Sequence, residues 1–168
     1  IISKKYISCF CHNMNVSQAT EIIPGLFIGN RKASMNNRFF QQNNISVVIN
    51  CTKDQAFLKA DDRVKRSQIR LAVDDDLSTS EIHKLYKYLM DVTEFIHKQL
   101  MNFKGVLVHC YAGIQRSATV VAAYLMRYGN IDQKKAVEFI KSKRTICFTP
   151  FVNFTKSLEL FQKNLSPM

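Results

Sequence analysis

No apolar stretch in the chain approaches the roughly 18 to 20 residues that a membrane span requires, and the N-terminal segment has no apolar core of the kind a secretory signal carries. An intracellular protein, cytoplasmic or nuclear, is therefore expected. Matched metal-ligand pairs are also missing. Cys9, Cys11 and His12 lie close together, but no CxxC or HxxxH pair follows them, so no metal site is expected. The five cysteines (Cys9, Cys11, Cys51, Cys110 and Cys147) are odd in number and widely spaced in 168 residues, a length that folds without staples. Free thiols are favoured over disulfides. Internal repeats are absent and acidic residues are scarce: 13 Asp and Glu stand against 24 Lys and Arg, a formal net charge of +11. That imbalance fits acidic or phosphorylated partners and does not by itself separate them from nucleic acid.

What the chain does hold is 46% hydrophobic residues, enough for the core of one ordinary domain. Residues 1–20 show no clear period and read as an N-terminal arm, with the domain over residues 21–168. The segment "EIIPGLFIGN" predicts short strands around the Pro24-Gly25 turn, and "KASMNNRFFQQNN" predicts a short helix closed by Asn43 and Asn44. The β-branched apolar run "ISVVIN" (45–50) predicts a buried strand, and "SQIRLAV" (67–73) is expected to form the next one. Ser78 with Glu81 three residues later has the form of a capping box, and Ile82, Leu85, Leu89, Val92 and Ile96 follow at helical spacing. A strand at "GVLVHC" then leads into an apolar helix ending near Gly129 and a helix capped by Asp132. Thr149 and Pro150 are expected to open a last helix, with Phe151, Phe154, Leu158, Phe161 and Leu165 as its core-facing stripe. This order predicts an α/β fold, a central and mostly parallel twisted sheet flanked by helices on both faces.

Such sheets gather ligands beyond the carboxyl ends of their strands. There the sequence reads "VLVHCYAGIQRSATVVAAYLM" (106–126), with Cys110 closing the strand and Arg116 opening the helix. A cysteine beside an apolar strand is ordinarily an inert buried thiol. Here the intervening Tyr111, Ala112, Gly113, Ile114 and Gln115 can curl so that successive backbone N–H groups face one centre, to which the helix dipole adds positive potential. Gly113 permits the turn, and the planar fork of Arg116 suits two phosphate oxygens. The same field favours a Cys110 thiolate, the nucleophilic form. Ser117 is placed to donate a hydrogen bond to that sulfur, and equally to cap the helix. Cys51 follows the strand 45–50; beside Cys110 it would capture a sulfenic acid there as a reversible disulfide.

The run His109-Cys110-Tyr111-Ala112-Gly113-Ile114-Gln115-Arg116-Ser117 resembles the HCxxGxxR[ST] loop of cysteine-dependent protein phosphatases. The "ATVVAAYLM" that follows, with "PGLFIGN", "ISVVINCT" and "KRTICFTPFVNF", is similar to the dual-specificity branch across residues 21–165. The resemblance implies hydrolysis of phosphomonoesters through a phosphocysteine intermediate, with no metal or cofactor. It also implies a carboxylic acid on a loop before the long helix, to protonate the leaving oxygen and then activate water. That loop reads "VDDDLSTSEI", with Asp74, Asp75 and Asp76 in competition. Ile82, six residues after Asp76, matches the family's helix-side spacing, whereas Val73, two before Asp75, matches the strand-side one. Asp76 is the expected acid and Asp75 the alternative. His109 is expected to support the loop and lower the thiol pKa rather than to carry protons.

Within the loop Arg116 is the sole charge, which argues against a highly phosphorylated lipid headgroup. Relatives that remove the RNA 5′ γ-phosphate show Asn-Arg-Thr after the glycine and lack the acid loop, so an RNA 5′-triphosphatase is a lesser alternative and nucleic acid is not the expected partner. A phospho-binding module that keeps the fold is a second alternative; such modules lose the Cys or the Arg, both retained here. Phosphotyrosine-only relatives have longer domains with a deeper pocket, so phosphoserine and phosphothreonine substrates are expected beside phosphotyrosine. Gln115 replaces the usual serine before the arginine and is expected to alter the pocket rim. Between Arg127 and Arg144, six Lys and Arg against Asp132 and Glu138 suggest a basic face able to steer acidic substrates.

Overall fold

The computed structural model describes residues 17–59 and 65–165. Most of the expected arm, with Cys9, Cys11 and His12, lies outside the described residues. Five strands form one sheet: β1 (Ala19–Ile23), β2 (Leu26–Gly29), β3 (Ile45–Asn50), β4 (Ser67–Arg70) and β5 (Gly105–His109), in the order β1-β2-β5-β3-β4. β1 is antiparallel to β2, and the other pairs are parallel. The described residues also form five α-helices: α1 (Asn37–Gln42), α2 (Thr79–Met101), α3 (Arg116–Tyr128), α4 (Gln133–Lys143) and α5 (Thr155–Leu165). Among the described residues no helix is long and apolar enough to cross a membrane.

β5 is central because it is buried along its whole length and must be covered on both faces. Alternate residues serve the two sides. Val106 and Val108 point into the larger core with Leu26, Ile28, Val47 and Ile49, which α2 to α5 cover. Leu107 points the other way, into a smaller cluster with Phe27, Phe40, Ile45 and Val48. Phe148, Phe154 and Phe161 are among the largest fully buried side chains, and truncating such a residue costs about 3–5 kcal/mol. The core therefore anchors the last helix firmly against α2 and α3.

Several boundaries differ from those expected, and β1 already begins at Ala19, inside the stretch read as an arm. The strand "SQIRLAV" ends at Arg70, because its partner β3 ends at Asn50 and the register pairs those two residues. The capping box is half made: Ser78 Oγ accepts the Glu81 N–H at 3.3 Å, but the Glu81 carboxylate turns instead to the Asp74 N–H at 2.7 Å. The last helix starts at Thr155 rather than at Thr149 and Pro150, and Phe151 is 57% exposed instead of joining the stripe. A buried glutamine holds residues 149–153 out of the helix, as described below.

Candidate active site

The loop between β5 and α3 is held from outside by its carbonyl groups. Tyr111 O accepts from Arg31 N at 3.1 Å, Ile114 O from Phe148 N at 3.0 Å, and Gln115 O from Thr119 N at 2.8 Å. Gly113 O accepts from Arg144 Nε at 3.0 Å. With carbonyls committed to the scaffold, the amides are left to face inward. Gly113 N donates to Cys110 Sγ at 3.3 Å, and the Ile114 and Ser117 amides act on the same sulfur. Gly113 has φ +70°, and a Cβ there would lie 2.7 Å from Gly29 O, so only glycine fits this approach.

Cys110 is buried at 2% exposure with the Ser117 hydroxyl 3.3 Å from its sulfur. Gln115, not Ser117, takes the helix N-cap position, and it offers no side-chain cap. Burial pushes the Cys110 thiol up, but the Arg116 charge, the Ser117 hydroxyl and the loop amides outweigh it and hold the pKa below its ordinary value. Burial pushes the His109 pKa down to about 4, the Cys110 backbone opposing, so the positive charge acting on the thiol is that of Arg116 rather than of an imidazolium. Cys51 is fully buried, and the Asn50–His109 pairing carries it alongside Cys110. Burial, and then the neighbouring Cys110, push the Cys51 thiol well up.

The three candidate carboxylates have different partners. Asp74 pairs with Lys53, Asp75 Oδ1 accepts from Asn153 Nδ2 at 2.9 Å, and Asp76 Oδ1 accepts from Ser78 N at 2.9 Å. The Ser78 backbone and hydroxyl hold the Asp76 carboxyl below its usual value. Arg116 reaches the same loop, donating through Nη1 to Val73 O at 2.8 Å.

The dual specificity phosphatase catalytic domain family matches residues 26–164. The chain belongs to the dual specificity phosphatase family. It is 34% identical over 149 residues to a putative tyrosine phosphatase of Invertebrate iridescent virus 6, covering 89% of this chain and 95% of that one. Mouse dual specificity protein phosphatase 8 is 32% identical over 146 residues, and there the match spans 87% of this chain but only 21% of the relative. Among solved structures, a mouse putative dual specificity phosphatase complexed with zinc tungstate superposes with a TM-score of 0.78 at 26% identity, covering 88% of each chain. Human tyrosine phosphatase-like serine/threonine/tyrosine-interacting protein gives 0.73 at 25% identity, over 87% of this chain and 96% of that one. These findings support a cysteine-dependent protein phosphatase, and neither alternative raised by the sequence is favoured.

Several supports of this phosphatase loop carry no signal in its motif. Arg144, counted among the basic residues of a solvated face, is 3% exposed; besides Gly113 O it holds Ser17 O at 2.8 Å and Thr20 Oγ1 at 3.0 Å. Arg127 likewise turns inward to Met90 O at 2.7 Å. Of the six cations in that segment, Lys134, Lys135, Lys141 and Lys143 remain exposed. Burial pushes the Cys147 thiol, 3.6 Å from Gly113 O, up to about 12, and so marks it as inert. Gln115 is 4% exposed, and its side-chain amide bonds to residues 149–153.

Glu81 anchors the acid loop. Besides the Asp74 amide it meets Lys84 Nζ at 2.6 Å and Lys53 Nζ at 3.2 Å. The Lys84 hydrogen bond, opposed by burial and aided by the Asp74 amide and Lys53, lowers its pKa to about 2. A carboxylate with a depressed folded pKa contributes stability above its unfolded value that is lost as pH falls through the folded one. Glu81→Gln should therefore be less stable than the wild type near neutral pH, and the difference should close between about pH 4.5 and 2. Denaturant midpoints of both proteins measured across that range check it.

Proposed function

We propose that this domain hydrolyses phosphotyrosine and phosphoserine or phosphothreonine monoesters through a phosphocysteine on Cys110. The observation that carries the reading is the lowered Cys110 thiol at the base of a loop whose amides converge on its sulfur beside Arg116. The Cys110 thiolate attacks phosphorus as the bond to the leaving oxygen breaks, and an acid-loop carboxylic acid gives that oxygen its proton. Water then attacks phosphorus, the carboxylate takes a proton from the water, and the sulfur–phosphorus bond breaks. The Ser117 hydroxyl eases the last step by donating to the departing thiolate. The amides of Tyr111, Ala112, Gly113, Ile114 and Gln115 bind the phosphoryl oxygens with Arg116. Arg116 Nε is buried with no protein partner, a donor left for such an oxygen.

The acid is Asp75 or Asp76. Helix-side spacing favours Asp76; each carboxylate accepts one hydrogen bond at 2.9 Å, Asp76 from Ser78 N and Asp75 from Asn153 Nδ2, so partners alone do not separate them. Asp75→Asn and Asp76→Asn separate them: the variant of the true acid should slow turnover by roughly 10²- to 10⁴-fold. The test of the whole reading is rapid acid quenching with a ³²P-labelled phosphotyrosine peptide. Label recovered on the peptide containing Cys110 supports it, and label recovered on no protein residue contradicts it.

Mild peroxide should oxidise the Cys110 thiolate to a sulfenic acid, which the Cys51 thiol converts to a disulfide with loss of water. Peptide mapping is expected to recover the Cys51–Cys110 pair. Recovery of over-oxidised Cys110 alone removes this role for Cys51. The exposed lysines of α4 supply the basic face for acidic substrate segments, and a soluble intracellular setting, cytoplasmic or nuclear, fits the free thiols.

A further inference from the structure

Gln115 makes three hydrogen bonds to one short segment. Its Nε2 donates to Thr149 O at 3.2 Å and to Phe151 O at 2.8 Å, and its Oε1 accepts from Asn153 N at 3.1 Å. Both N–H groups and one oxygen lone pair of a buried amide are thus spent on residues 149–153, which lie outside α5. The segment ends in Asn153, whose Nδ2 donates to Asp75 Oδ1 at 2.9 Å. A continuous chain therefore runs from the residue beside Arg116, through the segment, to the acid loop.

We infer that Gln115 and Asn153 are positioning residues that set the acid loop against the phosphate loop, and that this relay governs turnover of alkyl phosphates more than of activated aryl phosphates. The inference rests on the phosphatase reading above. The physical reason is the leaving group. A threonine alkoxide is far more basic than a nitrophenolate, so its departure depends on a well-placed proton, while nitrophenolate leaves with little help. Arg116 already ties the same loop through Val73 O, and this second tie acts two residues further along, at Asp75 itself. The contact is exposed, so its loss should displace the loop rather than unfold it.

The test compares the full chain with Asn153→Ala and Gln115→Ser on a phosphothreonine peptide and on p-nitrophenyl phosphate. Asn153→Ala should lower kcat on the phosphothreonine peptide about tenfold, a modest part of the 10²-fold that a 1 Å misplacement can cause. On p-nitrophenyl phosphate kcat should stay within about twofold, with KM on both substrates little changed. Gln115→Ser keeps the loop amides but deletes all three bonds to the segment, and it should shift the ratio of the two rates in the same direction. Equal losses on both substrates, or no loss on either, overturn the relay while leaving the phosphatase reading standing. A wild-type protein with no Cys110-dependent turnover of either substrate overturns that reading, and the relay with it.

Discussion

Cys110→Ser is expected to lower turnover of a phosphotyrosine peptide by roughly 10⁵- to 10⁶-fold, the scale on which an enzyme loses activity with its nucleophile. The site explains the size of the effect. Its inward amides, the Ser117 hydroxyl and the Arg116 charge overcome the cost of burying an anion at a thiol. A serine hydroxyl starts so much less acidic that the same surroundings leave it protonated, and an uncharged oxygen does not displace an aryl oxide at a useful rate. The substitution is small, at a position 2% exposed, so fold and phosphate binding should persist. Steady-state rates, together with equilibrium binding of the same peptide to the variant, check both halves. Unaltered turnover would remove Cys110 from the mechanism.

Arg116→Ala is the second large effect, a fall of roughly 10³- to 10⁵-fold, the range in which an arginine stabilises the charge of a transferring phosphoryl group. Three consequences fall on one residue. The clamp on the phosphoryl oxygens is lost, the tie to Val73 O is lost, and the charge that most lowers the Cys110 thiol is lost. Arg116→Lys separates them, since a lysine restores charge but not the planar fork. The pH midpoint of Cys110 alkylation should rise in the alanine variant and stay closer to wild type in the lysine variant, while turnover falls in both. An alanine variant with the wild-type midpoint would show that the charge on the thiol has another source.

The 110–116 loop was legible in the sequence because its strand, its glycine with positive φ and its helix opening lie within a few residues. The carbonyl ties to Arg31, Phe148 and Arg144 that leave its amides facing inward are long-range and were not legible. The sheet was legible for a related reason, since β3 and β5 are mostly apolar, β-branched segments of strand length. The misplaced start of the last helix has a long-range cause: its 149–153 segment is held by a glutamine more than thirty residues earlier, and no helical period records that. Arg144 follows the last turn of a lysine-rich helix and so reads as surface; only the packing of Gly113 O against it shows that it is a support. The general acid stayed divided between two neighbours because it depends on how one turn closes, with Leu77 at φ +61° and Ser78 claiming Asp76.

Phosphate release from paired phosphotyrosine and phosphothreonine peptides, with EDTA present and Cys110→Ser as the blank, tests the central claim most directly. Cys110-dependent release from both peptides is the predicted result. Release from neither, or release that persists in the serine variant, would contradict it.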